Sequence, residues 1–291
     1  MKVFRPLNIG ITALVGLVFW KMSSSLDYSK AENLVVENIL FVIAACFIAA
    51  AGYLINDFYD QEIDKINHPQ KKYPFTAKST WQIYFLLNVI AVGIGFSVFE
   101  YDYVIVFMLL PIWGLWFYSY LLKRVAIIGN LSIAFFAIWL PVGVVLINLQ
   151  PSLMLDNDVS LIAPGKMDVL LLLMSCSFLT TFSREVIKDV QDVKGDEVMK
   201  CKTFPVLVGR DFAMVFAGVV LVIAGLIWGN FTYKIFADLG AKSIFFFITE
   251  LLIFLALFFM FFGKSWSLKT KRSSLVIKVA MIFALVSGFI F

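Results

Sequence analysis

Long apolar segments recur along almost the whole chain, and they decide what it can fold into. A helix needs about 20 residues to cross the hydrocarbon core of a bilayer. Because a bilayer core holds no water, backbone polar groups there must be satisfied within the protein, so each such segment is helical. The apolar segments predict nine spans, at residues 6–22, 34–56, 80–99, 103–122, 125–147, 167–188, 212–231, 243–262 and 273–291.

The composition agrees with an all-α, polytopic membrane protein. Hydrophobic residues make up 61% of the 291 positions, against roughly 45–50% in soluble domains. The connections between the spans are too short for a separate soluble domain, so we predict one membrane domain over residues 1–291. The first span follows Lys2 and Arg5 and is short enough to resemble a signal peptide. We favour a retained helix.

Positively charged residues predict the orientation of the chain. Cytoplasmic segments of membrane proteins are enriched in lysine and arginine. With nine spans, the N-terminus and the loops after even-numbered spans share one side, which holds all but five of the 24 basic residues. The five on the other side are Lys21, Lys30, Lys166, Lys234 and Lys242. This asymmetry predicts a multi-pass protein of the cytoplasmic membrane with its N-terminus in the cytoplasm.

Two acidic runs with one spacing stand at the ends of the second and sixth spans. They read Asn56-Asp57-x-x-Asp60-x-x-x-Asp64 and Lys188-Asp189-x-x-Asp192-x-x-x-Asp196. Steps of three and then four residues place the three carboxylates of each run on one helical face. Both runs follow even-numbered spans, so the predicted orientation places both at the cytoplasmic side, where they can line one site.

Carboxylates so arranged repel one another, which predicts a compensating cation. Clustered carboxylates suit a hard divalent ion, above all Mg²⁺, which proteins often share with the phosphate oxygens of a substrate. The single histidine, His68, is too few for a histidine metal site. The sequence therefore predicts a Mg²⁺ cofactor and a phosphate or diphosphate substrate at the membrane surface.

Polar and basic side chains near the two runs are candidates for contacts with a diphosphate. Positive groups aimed at a departing diphosphate stabilise the charge that develops on it. The same cations also serve as orientation signals, and a single acidic run is often only a solvated helix face. The repeated spacing favours a site. The candidate diphosphate-binding residues are Asn56, Lys71, Tyr118, Lys123, Arg124 and Lys188.

The chain resembles the UbiA-type intramembrane prenyltransferases over nearly its whole length. The resemblance is carried by both acidic runs, Tyr118-Ser119-x-x-Leu122-Lys123-Arg124, Arg5-Pro6-x-Asn8 and Lys202-Thr203-x-Pro205. It implies a UbiA-like bundle of about nine transmembrane helices with both aspartate-rich motifs at the cytoplasmic face. It further implies that six aspartates bind the metal and act in catalysis, namely Asp57, Asp60, Asp64, Asp189, Asp192 and Asp196.

Within the family, the second run and its continuation through Val206-Leu207-Val208-Gly209 are most similar to digeranylgeranylglyceryl phosphate synthases. That likeness implies Mg²⁺-dependent transfer of a geranylgeranyl group from its diphosphate to geranylgeranylglyceryl phosphate in ether lipid synthesis. One stretch departs from the family pattern. The family usually has Asn-Arg-Pro-Asp-Arg-Pro-x-Pro-Ser-Gly where this chain has Asn67-His68-Pro69-Gln70-Lys71-Lys72-Tyr73-Pro74-Phe75-Thr76. Lys71 thus replaces an arginine and lacks its bidentate fork.

Two alternatives stay open. The acceptor can be an aromatic ring instead, as in quinone or haem side-chain biosynthesis. An ion-coupled transporter is the alternative from another class, because intramembrane acids also mark ion pathways, although transporter sites usually lie near the bilayer midplane. The expected partners of the enzyme are a prenyl diphosphate donor, a lipophilic acceptor (a glyceryl phosphate lipid or an aromatic ring) and membrane lipids, without nucleic acid.

Overall fold

The computed structural model describes residues 3–24, 34–99, 101–155 and 166–290, and nearly all of them are helical. The helices are α1 (Pro6–Ser24), α2 (Val35–Tyr59), α3 (Gln61–Asn67), α4 (Ala77–Val98), α5 (Tyr101–Val104), α6 (Leu110–Tyr120), α7 (Ile128–Leu155), α8 (Lys166–Val198), α9 (Phe204–Val208), α10 (Arg210–Leu239), α11 (Ser243–Phe261) and α12 (Trp266–Ile290). Within the described ranges there is no strand, and one isolated bridge pairs Val125 with Lys202. The all-α prediction is confirmed. Lys2 and Lys30, which entered the charge count, lie outside the described residues.

Eight helices in the described part of the chain are long and apolar enough to cross a membrane. They are α1, α2, α4, α7, α8, α10, α11 and α12, and each coincides with a predicted span. The remaining predicted span, residues 103–122, corresponds to a shorter apolar helical segment, Ile105–Tyr120. The chain is therefore an integral, multi-pass membrane protein.

The predicted fourth span is an interrupted helix. The turn of α5 passes into a π-helical segment, Ile105–Leu109, which passes into α6. Pro111 in the first turn of α6 explains the irregularity. Proline has no N–H, and its ring clashes with the carbonyl four residues earlier in a regular α-helix. A π-helical turn is a common local adjustment within such helices.

Four helix boundaries differ by seven residues or more from the prediction. Helix α7 ends at Leu155 instead of 147, and α10 ends at Leu239 instead of 231. Helix α8 continues to Val198 instead of ending at 188, and α12 begins at Trp266 instead of 273. Apolar content marks only the part of a helix that is uniformly hydrophobic. Beyond residue 188, α8 keeps one apolar face, with Val190 and Val193 buried at helical spacing. The second acidic run is thus part of α8 itself.

The described chain divides into two compact units. One comprises Met1–Leu122 with Trp139–Asp168, and the other comprises Lys123–Ile138 with Val169–Phe291. Each unit contains one acidic run. Helix α7 contributes its first part to the second unit and its remainder to the first. The assignment of a single domain over residues 1–291 stays a prediction.

Each unit has its own apolar core beside its acidic run. In the first unit, α2 packs against α1, α4 and α6, and Leu54 and Ile55 are fully buried just before the run. In the second unit, Val186, Ile187 and Val190 of α8 join a core that includes residues of α10, α11 and α12. Both runs therefore extend from helices that are fixed by apolar packing.

Helices α2 and α7 approach closely at Gly143. A methyl group at this position would collide with the ring of Phe41 and would lie 3.0 Å from Cδ1 of Phe107. Phe41 is 2% exposed and packs edge-on against Phe99 and Phe107. Only glycine leaves room for this aromatic cluster.

Candidate functional site

The first acidic run crosses the junction between α2 and α3. Asp60 separates the two helices, yet helical hydrogen bonding continues through it. The N–H of Asp60 donates to the carbonyl of Asn56 at 3.0 Å, and the N–H of Asp64 donates to the carbonyl of Asp60 at 2.8 Å. The run therefore keeps the helical spacing that the sequence predicts.

Lys71 links the two ends of the first run. Its Nζ lies 3.1 Å from Oδ1 of Asp57 and 2.6 Å from Oδ2 of Asp64. These aspartates are two helical turns apart, so a single ammonium can reach both only because they lie on one face. Asp57 is 2% exposed, and a carboxylate buried to that extent needs paired positive charge.

Arg5 supplies a second cation to the same carboxylate. Its Nη2 donates to Oδ1 of Asp57 at 2.7 Å, and its guanidinium lies over the ring of Tyr53 at 5.0 Å from the centroid. Arg5 stands 52 residues before its partner and was missed as a site residue. The available signal was the Arg5-Pro6 pair that carried part of the family resemblance.

Tyr73 brings the atypical loop after α3 close to the first run. Its hydroxyl lies 2.9 Å from Oγ1 of Thr80, and its ring packs against Phe58. Burial raises the pKa of Tyr73, the hydrogen bond with Thr80 lowers it, and the charge of Asp57 raises it again. Tyr73 therefore remains a neutral phenol next to the acidic run.

The second acidic run has hydrogen-bond donors from outside its own helix. Nδ2 of Asn130, on α7, donates to Oδ2 of Asp189 at 2.7 Å. The hydroxyl of Thr203 donates to Oδ2 of Asp196 at 3.0 Å. Asp192 lies between the two aspartates on α8 and is partly buried. Asn130 was missed because nothing in its local sequence marks it, and Thr203 was noted only within a family motif.

Glu185 organises two cations one turn before the second run. Nζ of Lys188 lies 2.8 Å from its Oε1, and Nη1 of Arg184 lies 3.0 Å from the same oxygen. The structure thus places Lys188, a predicted diphosphate contact, in an ion pair with Glu185.

The Lys123-Arg124 segment lies against the loop that follows the second run. The N–H of Lys202 donates to the carbonyl of Arg124 at 2.9 Å, and the N–H of Cys201 donates to the carbonyl of Asp196 at 2.8 Å. Burial and the charge of Asp196 raise the pKa of the Cys201 thiol, against the opposing charges of Arg124 and Lys123. The thiol is therefore protonated and unreactive, while both cations stand close to the second run.

The other two predicted contacts belong to the first unit. Asn56 lies in the last turn of α2 and Tyr118 in the last turn of α6, and both are partly buried. Both residues are at the ends of helices that pack together.

The carboxylate oxygens of the two runs are suitable ligands for a Mg²⁺ ion that is also bound by a substrate. In the described part of the chain, no three histidine, cysteine, aspartate or glutamate side chains converge in a geometry that would hold a metal. Mg²⁺ usually takes only one or two protein carboxylates and completes its shell with water and substrate phosphates. Hard carboxylate oxygens at helical spacing meet that requirement.

Comparisons with known proteins agree with the geometry. Residues 9–286 match the UbiA prenyltransferase family. The chain is 30% identical over 231 residues to the digeranylgeranylglyceryl phosphate synthase of Thermococcus gammatolerans, which covers 78% of this chain and 76% of the relative. A solved structure described as digeranylgeranylglyceryl phosphate synthase in membranes is similar with a TM-score of 0.66 at 21% identity, covering 99% and 95% of the two chains. A UbiA homolog from Archaeoglobus fulgidus, bound to DMAPP and Mg²⁺, is similar with a TM-score of 0.60 at 13% identity, covering 98% and 97%.

Proposed function

The chain belongs to the UbiA prenyltransferase family, and from this premise we propose that it transfers a prenyl group from a prenyl diphosphate to a glyceryl phosphate lipid. The resemblance predicted from the motifs is confirmed, and the protein is a prenyltransferase. The observation that carries the choice of acceptor is the 30% identity to a digeranylgeranylglyceryl phosphate synthase over three quarters of the chain. The reaction is then a step of ether lipid synthesis.

Mg²⁺ is the proposed cofactor. The Archaeoglobus fulgidus homolog binds it together with DMAPP, and the carboxylates of both runs suit it. The proposed ligands are Asp57, Asp60 and Asp64 in the first run and Asp189, Asp192 and Asp196 in the second. When bound, the ion neutralises diphosphate charge and so favours cleavage of the allylic C–O bond.

The side chains around each run contact the diphosphate or orient the carboxylates. Arg5 and Lys71 stand within bonding distance of Asp57, where they can donate to diphosphate oxygens as charge develops on the leaving group. Asn130 and Thr203 hold the carboxylates of Asp189 and Asp196 in fixed orientations. Apolar helices exclude water, so that the lipid hydroxyl, rather than water, captures the prenyl cation and gives up its proton to the released diphosphate.

We place the enzyme in the cytoplasmic membrane with its N-terminus in the cytoplasm. The support is the distribution of lysine and arginine, of which all but five of 24 fall on one set of connections. This orientation exposes both runs to the soluble pool of Mg²⁺ and prenyl diphosphate.

A transfer assay with labelled geranylgeranyl diphosphate tests the proposal. Purified protein in lipid nanodiscs should convert labelled geranylgeranyl diphosphate and geranylgeranylglyceryl phosphate to the diether with Mg²⁺, and lose this activity in EDTA. Asp60→Asn and Asp192→Asn should each lower turnover at least 100-fold while the melting temperature stays within a few degrees. Lys65→Gln, which removes an exposed cation beside the first run, is the matched control.

The outcomes separate the two acceptor classes. Transfer to a hydroxybenzoate or quinone precursor, with none to the glyceryl phosphate lipid, would replace the proposed acceptor by an aromatic ring. Near-normal turnover in both aspartate variants would contradict the assignment of the two runs as metal ligands.

A further inference from the structure

A polar stripe runs along α8 and extends deeper into the helix than the acidic run. Counting at 100° per residue, Thr181, Arg184, Glu185, Lys188 and Asp192 fall within one broad face. The apolar residues Phe182, Val186 and Val190 instead join the core of the second unit. The acidic run accounts for the C-terminal part of this stripe only. Its N-terminal part, Thr181 to Glu185, has no role in the function proposed above.

Two buried polar atoms at this end lack hydrogen bonds within the described residues. They are Oγ1 of Thr181 and Nε of Arg184, which stand one turn apart. The Thr181 residue is 7% exposed, whereas the Arg184 side chain, at 21% exposed, keeps part of its surface open. Buried polar groups in proteins are nearly always hydrogen-bonded. Their presence side by side on the stripe indicates that this region accepts a polar ligand.

The charge of this region favours an anion. Arg184 and Lys188 share the single carboxylate of Glu185, so two cations stand beside one anion, and their side chains are 21% and 35% exposed. Guanidinium is the side chain best matched to phosphate, because its planar fork donates two parallel hydrogen bonds. Ionisable residues within membrane helices generally mark functional sites.

The depth of the region matches the phosphate of a membrane lipid. The apolar helix that includes this stripe begins at Met167, and about 20 residues cross the hydrocarbon core. Arg184 therefore stands roughly where α8 leaves that core, at the level of lipid headgroups. The aspartates of the run lie up to three turns farther out. A lipid acceptor with its chain in the bilayer would bring its phosphate to Arg184.

We propose that Thr181 and Arg184 form the headgroup subsite of the acceptor, in which Arg184 binds its phosphate monoester and Thr181 hydrogen-bonds its glycerol oxygens. Glu185 positions the guanidinium and Lys188 adds positive charge. This inference rests on the proposed function, since it assumes a phosphate-bearing acceptor. It assigns acceptor selection to one face of α8, apart from the six aspartates.

Steady-state kinetics with both substrates varied test this subsite. In Arg184→Gln, the KM for geranylgeranylglyceryl phosphate should rise at least 10-fold while the KM for geranylgeranyl diphosphate stays within twofold. Arg184→Lys should give an intermediate KM for the acceptor, and Thr181→Val a rise of about threefold. Lys194→Gln is the matched control, because it removes one positive charge from the exposed opposite face of the same helix and should leave both constants unchanged.

A binding measurement without turnover completes the test. Quenching of tryptophan fluorescence by the acceptor lipid, without metal or donor, should weaken at least 10-fold in Arg184→Gln, and the variant should melt within a few degrees of the parent. An unchanged acceptor KM, or equal rises in both KM values, would overturn the subsite even if the parent transfers the prenyl group as proposed. A parent that uses only aromatic acceptors would refute the proposed function itself, and the subsite with it.

Discussion

Individual side chains in both runs are held by partners that are distant in sequence. Asp57 is paired with Arg5 and Lys71, and Asp189 accepts from Asn130 across 59 positions. Buried carboxylates are stable only when such partners satisfy them. The residues that orient the acids are therefore as important to the site as the acids.

Lys71 is the residue at which this chain departs from the family pattern, and its substitution should change affinity for the donor. Lys71→Gln should raise the KM for the prenyl diphosphate about 10-fold, the loss expected for one charge-assisted hydrogen bond. Lys71→Arg should give a KM equal to or below that of the parent, since the guanidinium restores the bidentate fork. Initial-rate kinetics measure both. If the Lys71→Arg variant were as impaired as the Lys71→Gln variant, side-chain shape rather than charge would be what matters at this position.

Asn130 should be needed to orient Asp189. Asn130→Ala removes the 2.7 Å hydrogen bond to the carboxylate, and loss of a partner that orients a metal ligand lowers activity about 10- to 100-fold. The decrease should appear in kcat and in the apparent affinity for Mg²⁺, both measured by titrating the metal in the transfer assay. If the apparent affinity of Asn130→Ala for Mg²⁺ equalled that of the parent, this role would be contradicted.

At the scale of the helix, packing fixes where each run begins. Leu54 and Ile55 are buried immediately before the first run, and Val190 and Val193 are buried within the second. Each acidic face is thus the continuation of a helix whose other face is anchored in an apolar core. Any change that shifts α2 or α8 should also shift its carboxylates.

The close approach of α7 to α2 gives a test of this anchoring. Gly143→Ala should destabilise the protein by about 1–3 kcal/mol, because the added methyl group must displace the ring of Phe41. Gly93→Ala on α4 is the matched control, since nothing lies within 4 Å of the added carbon, and its stability should be unchanged or slightly higher. Thermal unfolding in detergent, followed by circular dichroism, compares them. Equal melting temperatures would contradict the tight contact.

The sequence predicted the helices better than it predicted the site. Uniform apolar composition located all eight long helices, because crossing a bilayer leaves few alternatives. It did not locate the end of α8, where an amphipathic face replaces a uniformly apolar one. Arg5 and Asn130 escaped notice for a different reason: their importance comes from contacts across 52 and 59 residues, which no local pattern encodes.

For the whole molecule, the interrupted helix decides the topology. With the eight long helices alone, both ends of the chain would lie on one side of the membrane, and the lysine and arginine asymmetry would be reversed after residue 100. The helical stretch from 101 to 120 has about 20 residues and can cross the bilayer despite its π-helical turn. We therefore expect nine crossings.

Reporter fusions check this number. Alkaline phosphatase fused after Phe291 should be active and green fluorescent protein at that position dark, because nine crossings from a cytoplasmic N-terminus end outside the cytoplasm. The same reporters fused after Lys200 should give the reverse result. A fusion after Lys200 that reports outside the cytoplasm, together with a cytoplasmic signal after Phe291, would mean that residues 101–120 do not cross.

The position of Lys71 between Asp57 and Asp64 has a consequence for how a ligand would enter. Under the proposed function, the anionic head of the donor takes over Lys71 and Arg5 as its partners, and the carboxylates released from them become available to the divalent ion that accompanies the diphosphate. Binding then exchanges one set of ion pairs for another. The number of buried charges without a counter-charge does not increase during this exchange. Donor and metal should accordingly enter together, since either alone would leave one set of charges uncompensated.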